Sequence, residues 1–225
     1  MSKDSNLRSP DRGSGHRLPS KEGPKRGCAA AGPTSLSRQA PTLSVMRQPP
    51  LLVVITGMPA AGKSTLAKSL RRELGLPLIV RDEIKERLYE ELGTGDIEWS
   101  NRLGSAAFGL LFDFAAVLLQ SGTAVIVEAN FFRGSEPQFS ALPEHRVVQI
   151  HCAAPLDVLV SRYTDRPRHP GHHDAEKVLL LRERFENSVH GPLDLAGEVI
   201  EVDTSTGVDL RMIADDVRRL LTNRG

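Results

Sequence analysis

From residue 51 onward, short apolar runs alternate with stretches of helical periodicity. Leu51–Thr56 is an uninterrupted apolar run and predicts a strand covered on both faces. A helix is expected from Ser64 to about Leu74, then a short strand over Pro77–Val80. Asp82 is placed to N-cap a helix running through Leu92, which Gly93-Thr94-Gly95 breaks. A long helix follows over roughly Glu98–Ser121. Thr123–Glu128 and Val147–Cys152 are apolar and β-branched, hence buried strands. Pro155 opens the next helix, a further helix is expected from Asp174 to about Val189, and Glu198–Val202 is the last strand. Val208–Leu221 closes the pattern as a helix. Five short strands alternating with helices predict an α/β fold, a three-layer α/β/α arrangement on a parallel sheet.

The turn after the first strand reads Gly57-Met58-Pro59-Ala60-Ala61-Gly62-Lys63-Ser64. This is G-x-x-x-x-G-K-[ST], set between a strand and a helix, the context that gives the pattern meaning as a phosphate-binding loop. Its glycines let consecutive N–H groups point into one concavity, and the helix N-terminus adds partial positive charge. Lys63 is expected to reach the β- and γ-phosphates, and Ser64 to hold Mg²⁺.

Ligands of such sheets bind beyond the carboxyl ends of the strands. The second strand delivers Arg81 and Asp82 there, the third Glu128 and Asn130, and the fifth Asp203, Thr204 and Ser205. Asp82 is the candidate base for an attacking hydroxyl. Glu128 is the candidate second acidic residue near Mg²⁺. The stretch Arg162–Asp174 carries Arg162 and Arg166 at i, i+4, together with Gly171 and two prolines, and reads as a basic lid. Planar guanidinium forks suit phosphate oxygens and stabilise charge in phosphoryl transfer. His169, His172 and His173 raise a zinc alternative, but the cluster has neither a cysteine beside it nor a clear fourth ligand.

Charge divides the chain. Residues 1–47 hold nine Lys/Arg against three Asp/Glu, leaving 48–225 with twenty against twenty-five. The first segment, rich in Ser, Pro, Gly and Arg, is expected to be a disordered basic tail, and 48–225 the working domain. A slightly acidic domain argues against nucleic acid as a partner, and nothing in the chain points to an obligate protein partner. Cys28 and Cys152 form no framework and are expected to be free thiols in a reducing compartment, the cytoplasm. The most apolar stretch, Ala106–Leu119, is interrupted by Asp113 and is expected to be a buried helix rather than a membrane span.

These segments resemble the small P-loop kinases of the adenylate-kinase-like group, in particular the AAA-type "predicted kinase" proteins related to chloramphenicol phosphotransferase, zeta toxin and gluconate kinase. The resemblance rests on Ile55–Thr65, Arg81-Asp82-Glu83-Ile84-Lys85, Val127-Glu128-Ala129-Asn130-Phe131 and Arg162–Asp174, within about residues 50–222. It implies a five-stranded P-loop NTPase sheet in the order 2-3-1-4-5 with a short lid, and ATP·Mg²⁺ as phosphoryl donor. Gly57 through Thr65 would then bind nucleotide, and Asp82 would be the base. Arg162 would lie near adenine, Arg166 near phosphates, and Asp203, Thr204 and Ser205 would pack on adenine. The acceptor implied is a hydroxyl of a small molecule, in a pocket lined from Trp99, Asn101, Arg102, Phe131, Phe132 and Arg133. The alternatives from other classes are a nucleoside triphosphatase switch and a polynucleotide or RNA-end kinase.

Overall fold

The computed structural model describes residues 48–222. Every position of β1 (Leu51–Gly57) is buried, as its unbroken apolar sequence requires. Its side chains alternate between two cores. Leu51, Val53 and Ile55 pack with Leu66, Leu70, Ile150, Leu159, Ile213 and Val217, whereas Leu52 and Val54 pack with Leu111, Ala115, Phe131 and Phe139. One strand therefore ties both faces of the sheet together.

β1 runs parallel to β3 (Val125–Glu128) on one side and to β4 (Arg146–Ala153) on the other. β2 (Leu78–Val80) and β5 (Gly197–Asp203) form the edges, giving the order β2-β3-β1-β4-β5 with every pairing parallel. This is the order that the resemblance implies. The register places Ile55 beside Glu128, Val80 beside Glu128, Gly57 beside Cys152 and Ala153 beside Asp203. All five strands thus end at one level, and the loops that leave them share one rim.

α1 (Lys63–Leu74) and α7 (Leu210–Thr222) pack together, as do α5 (Leu156–Asp165) and α6 (Asp174–Glu186). Across the sheet lie α2 (Arg81–Leu92) and α3 (Ile97–Gln120), which pack on each other. α3 starts at Asp96, whose side chain accepts from the Trp99 N–H at 2.8 Å. Its buried stripe, Leu103, Ala107, Leu111, Ala115 and Leu119, repeats every fourth residue and faces the core, while Asp113 is exposed. Among the described residues α3 is the one helix long and apolar enough to cross a membrane by length and composition. Here it forms a layer of the α/β fold.

Two expectations need correcting, and one short helix stands where the sequence predicts none. Asp82 does not cap α2; the helix begins at Arg81, with Val80 in extended conformation as its cap and no side-chain cap bond. The Asp82 carboxylate is turned outward to two guanidinium groups instead. α6 ends at Glu186, where a turn through Ser188 (φ 50°) stops it short of Val189. α4 (Glu136–Ser140) was not foreseen, because five residues with a proline in the first turn show no readable period. The expected tail, residues 1–47, lies outside the described residues.

Candidate active site

The loop between β1 and α1 owes its shape to glycine at two positions. Gly57 has φ 134°, and a Cβ there would stand 2.1 Å from the Cys152 carbonyl oxygen, so only glycine lets β1 end against β4. Gly62, at φ 77°, turns the chain into α1. The Ala61 N–H donates to the Met58 carbonyl at 3.1 Å, and Ala60 sits at φ 65° between them. Lys63 is buried and curls back to donate to the Met58 carbonyl at 2.7 Å. Burial pulls its pKa down, while Glu128 and then Asp82 hold it up. Ser64 Oγ donates to Glu128 Oε2 at 2.9 Å. Glu128 is buried, and that burial pushes its carboxyl upward against the opposing pull of Lys63.

A cavity of about 680 Å³ opens over this loop. Gly62, Lys63, Ser64 and Thr65 form its floor, and Asp82, Glu128, Asn130, Arg162, Arg166 and Thr204 its walls. The structure thus gathers residues from the ends of several strands and from the lid. Arg162 is fixed by Thr204: its Nη1 donates to Oγ1 at 3.1 Å and its Nη2 to the carbonyl at 2.7 Å. Arg166 lies over the Tyr163 ring at 4.5 Å. Asp203 does not line the cavity. It is exposed and accepts from Ser205 N–H and Oγ, at 2.8 and 2.6 Å.

Sequence reasoning missed Arg168, whose guanidinium pairs with Asp82 Oδ2. The available signal was a third arginine in the Arg-Pro-Arg run of the lid. Arg81 Nη1 holds the other Asp82 oxygen at 3.1 Å. Burial pushes the Asp82 pKa up, but Arg168, then Arg81, then His172 and Lys63 outweigh it and hold the carboxyl at about 2. The lid is laid down on α2 and α3 by a hydrogen-bond chain. Lys85 Nζ donates to Ser100 Oγ (2.9 Å), Ser100 pairs with the Tyr89 hydroxyl (2.7 Å), and Tyr89 donates to the Gly171 carbonyl (2.5 Å). His169 stacks on Tyr89 at 5.0 Å, and His172 Nε2 lies 3.0 Å from Glu86 Oε1. His173 Nε2 is bonded to the Gly95 carbonyl. Among the described residues, no three His, Cys, Asp or Glu side chains gather as a metal site.

A second cavity, of about 720 Å³, lies between α3 and the segment around α4. Arg81, Asn101, Gly104, Phe108, Asp113, Phe132 and Gln138 are among its lining residues. Of the expected acceptor residues only Asn101 and Phe132 are there. Phe131 is wholly buried in the core, stacked edge-on against Phe108 and Phe139. Trp99 donates to the Gly93 carbonyl and carries Arg102 over its ring, bracing the start of α3. Arg133 is not among the lining residues, and its backbone N–H pairs with Val189.

The family model described as an AAA domain matches residues 52–188, more than half of the chain. The chain belongs to this family of P-loop kinases. Two curated relatives are similar to it. A cytidylate kinase of Ignicoccus hospitalis is 45% identical over 136 residues, 60% of this chain and 75% of that protein. A shikimate kinase of Paracidovorax citrulli is 30% identical over 166 residues, 63% and 88%. A solved structure from Chloroflexus aurantiacus, provisionally described as a kinase, is 36% identical with a TM-score of 0.68, covering 76% of this chain and 98% of that one. The chain spans only 29% of the length of the mycobacterial proteins that it matches at 28% identity. The P-loop kinase fold and a nucleotide-binding loop are therefore properties of this protein. The family also implies ATP, and usually Mg²⁺.

Proposed function

We propose that the protein transfers the γ-phosphoryl group of ATP to a hydroxyl of a small molecule, with Asp82 as the base. The observation that carries this reading is the position of Asp82. It lines the cavity above the phosphate loop, and through its contact with Arg81 it adjoins the second cavity. A hydroxyl presented from the second cavity would give its proton to Asp82 as its oxygen bonds to the γ-phosphorus and the bond to the β-phosphate oxygen breaks. The second cavity has the volume of a small-molecule site, which favours such an acceptor over a polynucleotide.

In this reading the backbone from Gly57 to Thr65 cradles the phosphates, and Lys63 leaves the Met58 carbonyl to meet them. Ser64 and Glu128 would hold Mg²⁺. They are hard oxygen donors 2.9 Å apart, and a cation there would offset the burial that raises Glu128. When bound, Mg²⁺ supplies charge neutralisation across the phosphates. Arg162 stiffens the Thr204 wall, and Arg166 supplies positive charge over the cavity. While Arg168 holds it, the Asp82 carboxyl is too weakly basic to take a proton efficiently. Movement of Arg168 from the carboxylate towards the phosphates would raise that basicity as the transfer charge develops. The cytidylate and shikimate kinases, which act on a nucleotide and a hydroxy acid by name, support phosphoryl transfer to a small acceptor. Buried, free Cys152 fits a reducing compartment and supports the cytoplasm as the proposed location. Residues 48–225 are the proposed working domain.

Asp82→Asn tests the assignment. Nucleotide affinity should hold, and kcat for transfer should fall about 10²- to 10⁴-fold. A variant that keeps full transfer activity would remove Asp82 from the mechanism.

A further inference from the structure

The second cavity is bordered by a cation whose donors are only partly used. Arg81 spends Nη1 on Asp82, but its Nε is buried with no hydrogen-bond partner. Buried donors without partners are costly, and a functional site is where such a cost is retained. Gly104 makes the room for this guanidinium. A Cβ at 104 would stand 2.5 Å from Arg81 Nη2 and 3.6 Å from Lys85 Nζ. The Phe108 ring lies under the same guanidinium, 5.1 Å away. Other cations crowd the same corner: Lys85 lies beside Arg81, and Arg168 holds the second oxygen of Asp82. Lys85, which is buried, is pulled down to about 8, first by burial and then by Arg81 and Lys177.

We propose that the acceptor is a hydroxylated small molecule bearing an oxyanion, carboxylate or phosphate, which Arg81 grips beside the hydroxyl addressed by Asp82. This inference rests on the kinase reading above. Arg81 and Asp82 are in contact, and each ligand hydrogen bond is about 2.9 Å long. Oxyanion and hydroxyl must then sit on neighbouring parts of one small skeleton. The apolar face of that skeleton lies against Phe108 and Phe132. Asp113 lines the cavity nine residues beyond Gly104, about 13 Å along α3. Its carboxylate would repel a second anion at the far end, so acceptors with a single anionic end are favoured.

The test uses the full chain with ATP and a small-molecule cell extract divided on an anion exchanger at pH 7. Phosphorylated products are sought by mass in the retained and the unretained fractions. Matched pairs complete the panel: glycerate with glycerol, gluconate with sorbitol, and ribose 5-phosphate with ribose. Product arising from the retained fraction supports the proposal, and the pairs show whether carboxylate or phosphate is preferred. Product arising only from the unretained fraction overturns the proposal and leaves the kinase reading standing. Intact nucleotide binding with no product from either fraction removes both.

For the accepted anion, Arg81→Gln should raise KM about 10- to 150-fold, the loss of a charge-assisted bond, with nucleotide affinity unchanged. Arg81→Lys should recover part of it. Gly104→Ala, which pushes the guanidinium aside, should reduce preference for the anionic member of a pair. Equal losses for anionic and neutral acceptors in Arg81→Gln and Gly104→Ala would overturn the role given to Arg81.

Discussion

Arg168→Ala isolates the contact that holds the lid on the proposed base. Asp82 falls from an ordinary 3.8 to about 2 although burial alone would raise it, and Arg168 is the largest opposing cause. A drop from 3.8 to about 2 is worth at most about 2 kcal/mol. The side chain is 31% exposed, so screening trims this figure. The folded pKa lies below the unfolded one. The stabilisation is therefore complete above about pH 4 and is lost as pH falls from about 4 to about 2. Removing Arg168 takes away the largest opposing cause and leaves the upward push of burial against Arg81, with smaller help from His172 and Lys63. The Asp82 carboxyl should then titrate near or above 3.8, and the acid-unfolding midpoint should move to higher pH. Carbon-13 titration of aspartate carboxyls would follow this directly, with Asp82→Asn identifying the resonance, and circular dichroism would follow unfolding. If Asp82 still titrates near 2 in Arg168→Ala, the lid arginine is not what holds it.

Gly57→Ala should destabilise the protein by more than ~2 kcal/mol, because φ 134° and the Cys152 carbonyl both exclude a methyl group; an unchanged melting temperature would contradict the packing described. Ser64→Ala should weaken nucleotide binding about tenfold with Mg²⁺ present and little without it, as calorimetry with and without the metal would show. His190 donates Nδ1–H to the Phe131 carbonyl while its Nε2 is buried without a partner, and burial pulls its pKa from 6.5 to about 4. Stability should therefore fall by at most about 3 kcal/mol as pH drops from about 6.5 to about 4, a loss that His190→Gln should not show in denaturant titrations. Tyr89→Phe should loosen the lid by about 1–2 kcal/mol, seen as faster amide exchange around Gly171 with α1 unaffected.

Most of the fold was legible because β1 is apolar without a gap and the later strands repeat that signature. The loop from Gly57 to Ser64 announced its chemistry through spacing alone. Asp82, Glu128 and Thr204 line one cavity because strands of a parallel sheet end on one rim, so sequence position translates into place, and Arg162 and Arg166 reach the same cavity from the far end of α5. What escaped depends on contacts that no local pattern encodes. Arg168 meets Asp82 only because the lid folds back over α2. Phe131 and Phe132 are adjacent and chemically identical, yet one fills the core and the other faces the second cavity. Asp82 reads as a cap from its place after a strand, but two guanidinium groups attract a carboxylate more strongly than a helix end does.

The two cavities are written into the chain in different ways. The first draws its walls from segments as far apart as residues 60 and 210. Every lining residue of the second falls within the single run 81–141. Exchanges in the turn at 132–135, whose Phe132 and Ser135 line the second cavity, can therefore reshape that cavity without touching a residue that lines the first. A lineage could drift from one substrate to another through local edits, keeping its nucleotide machinery intact throughout.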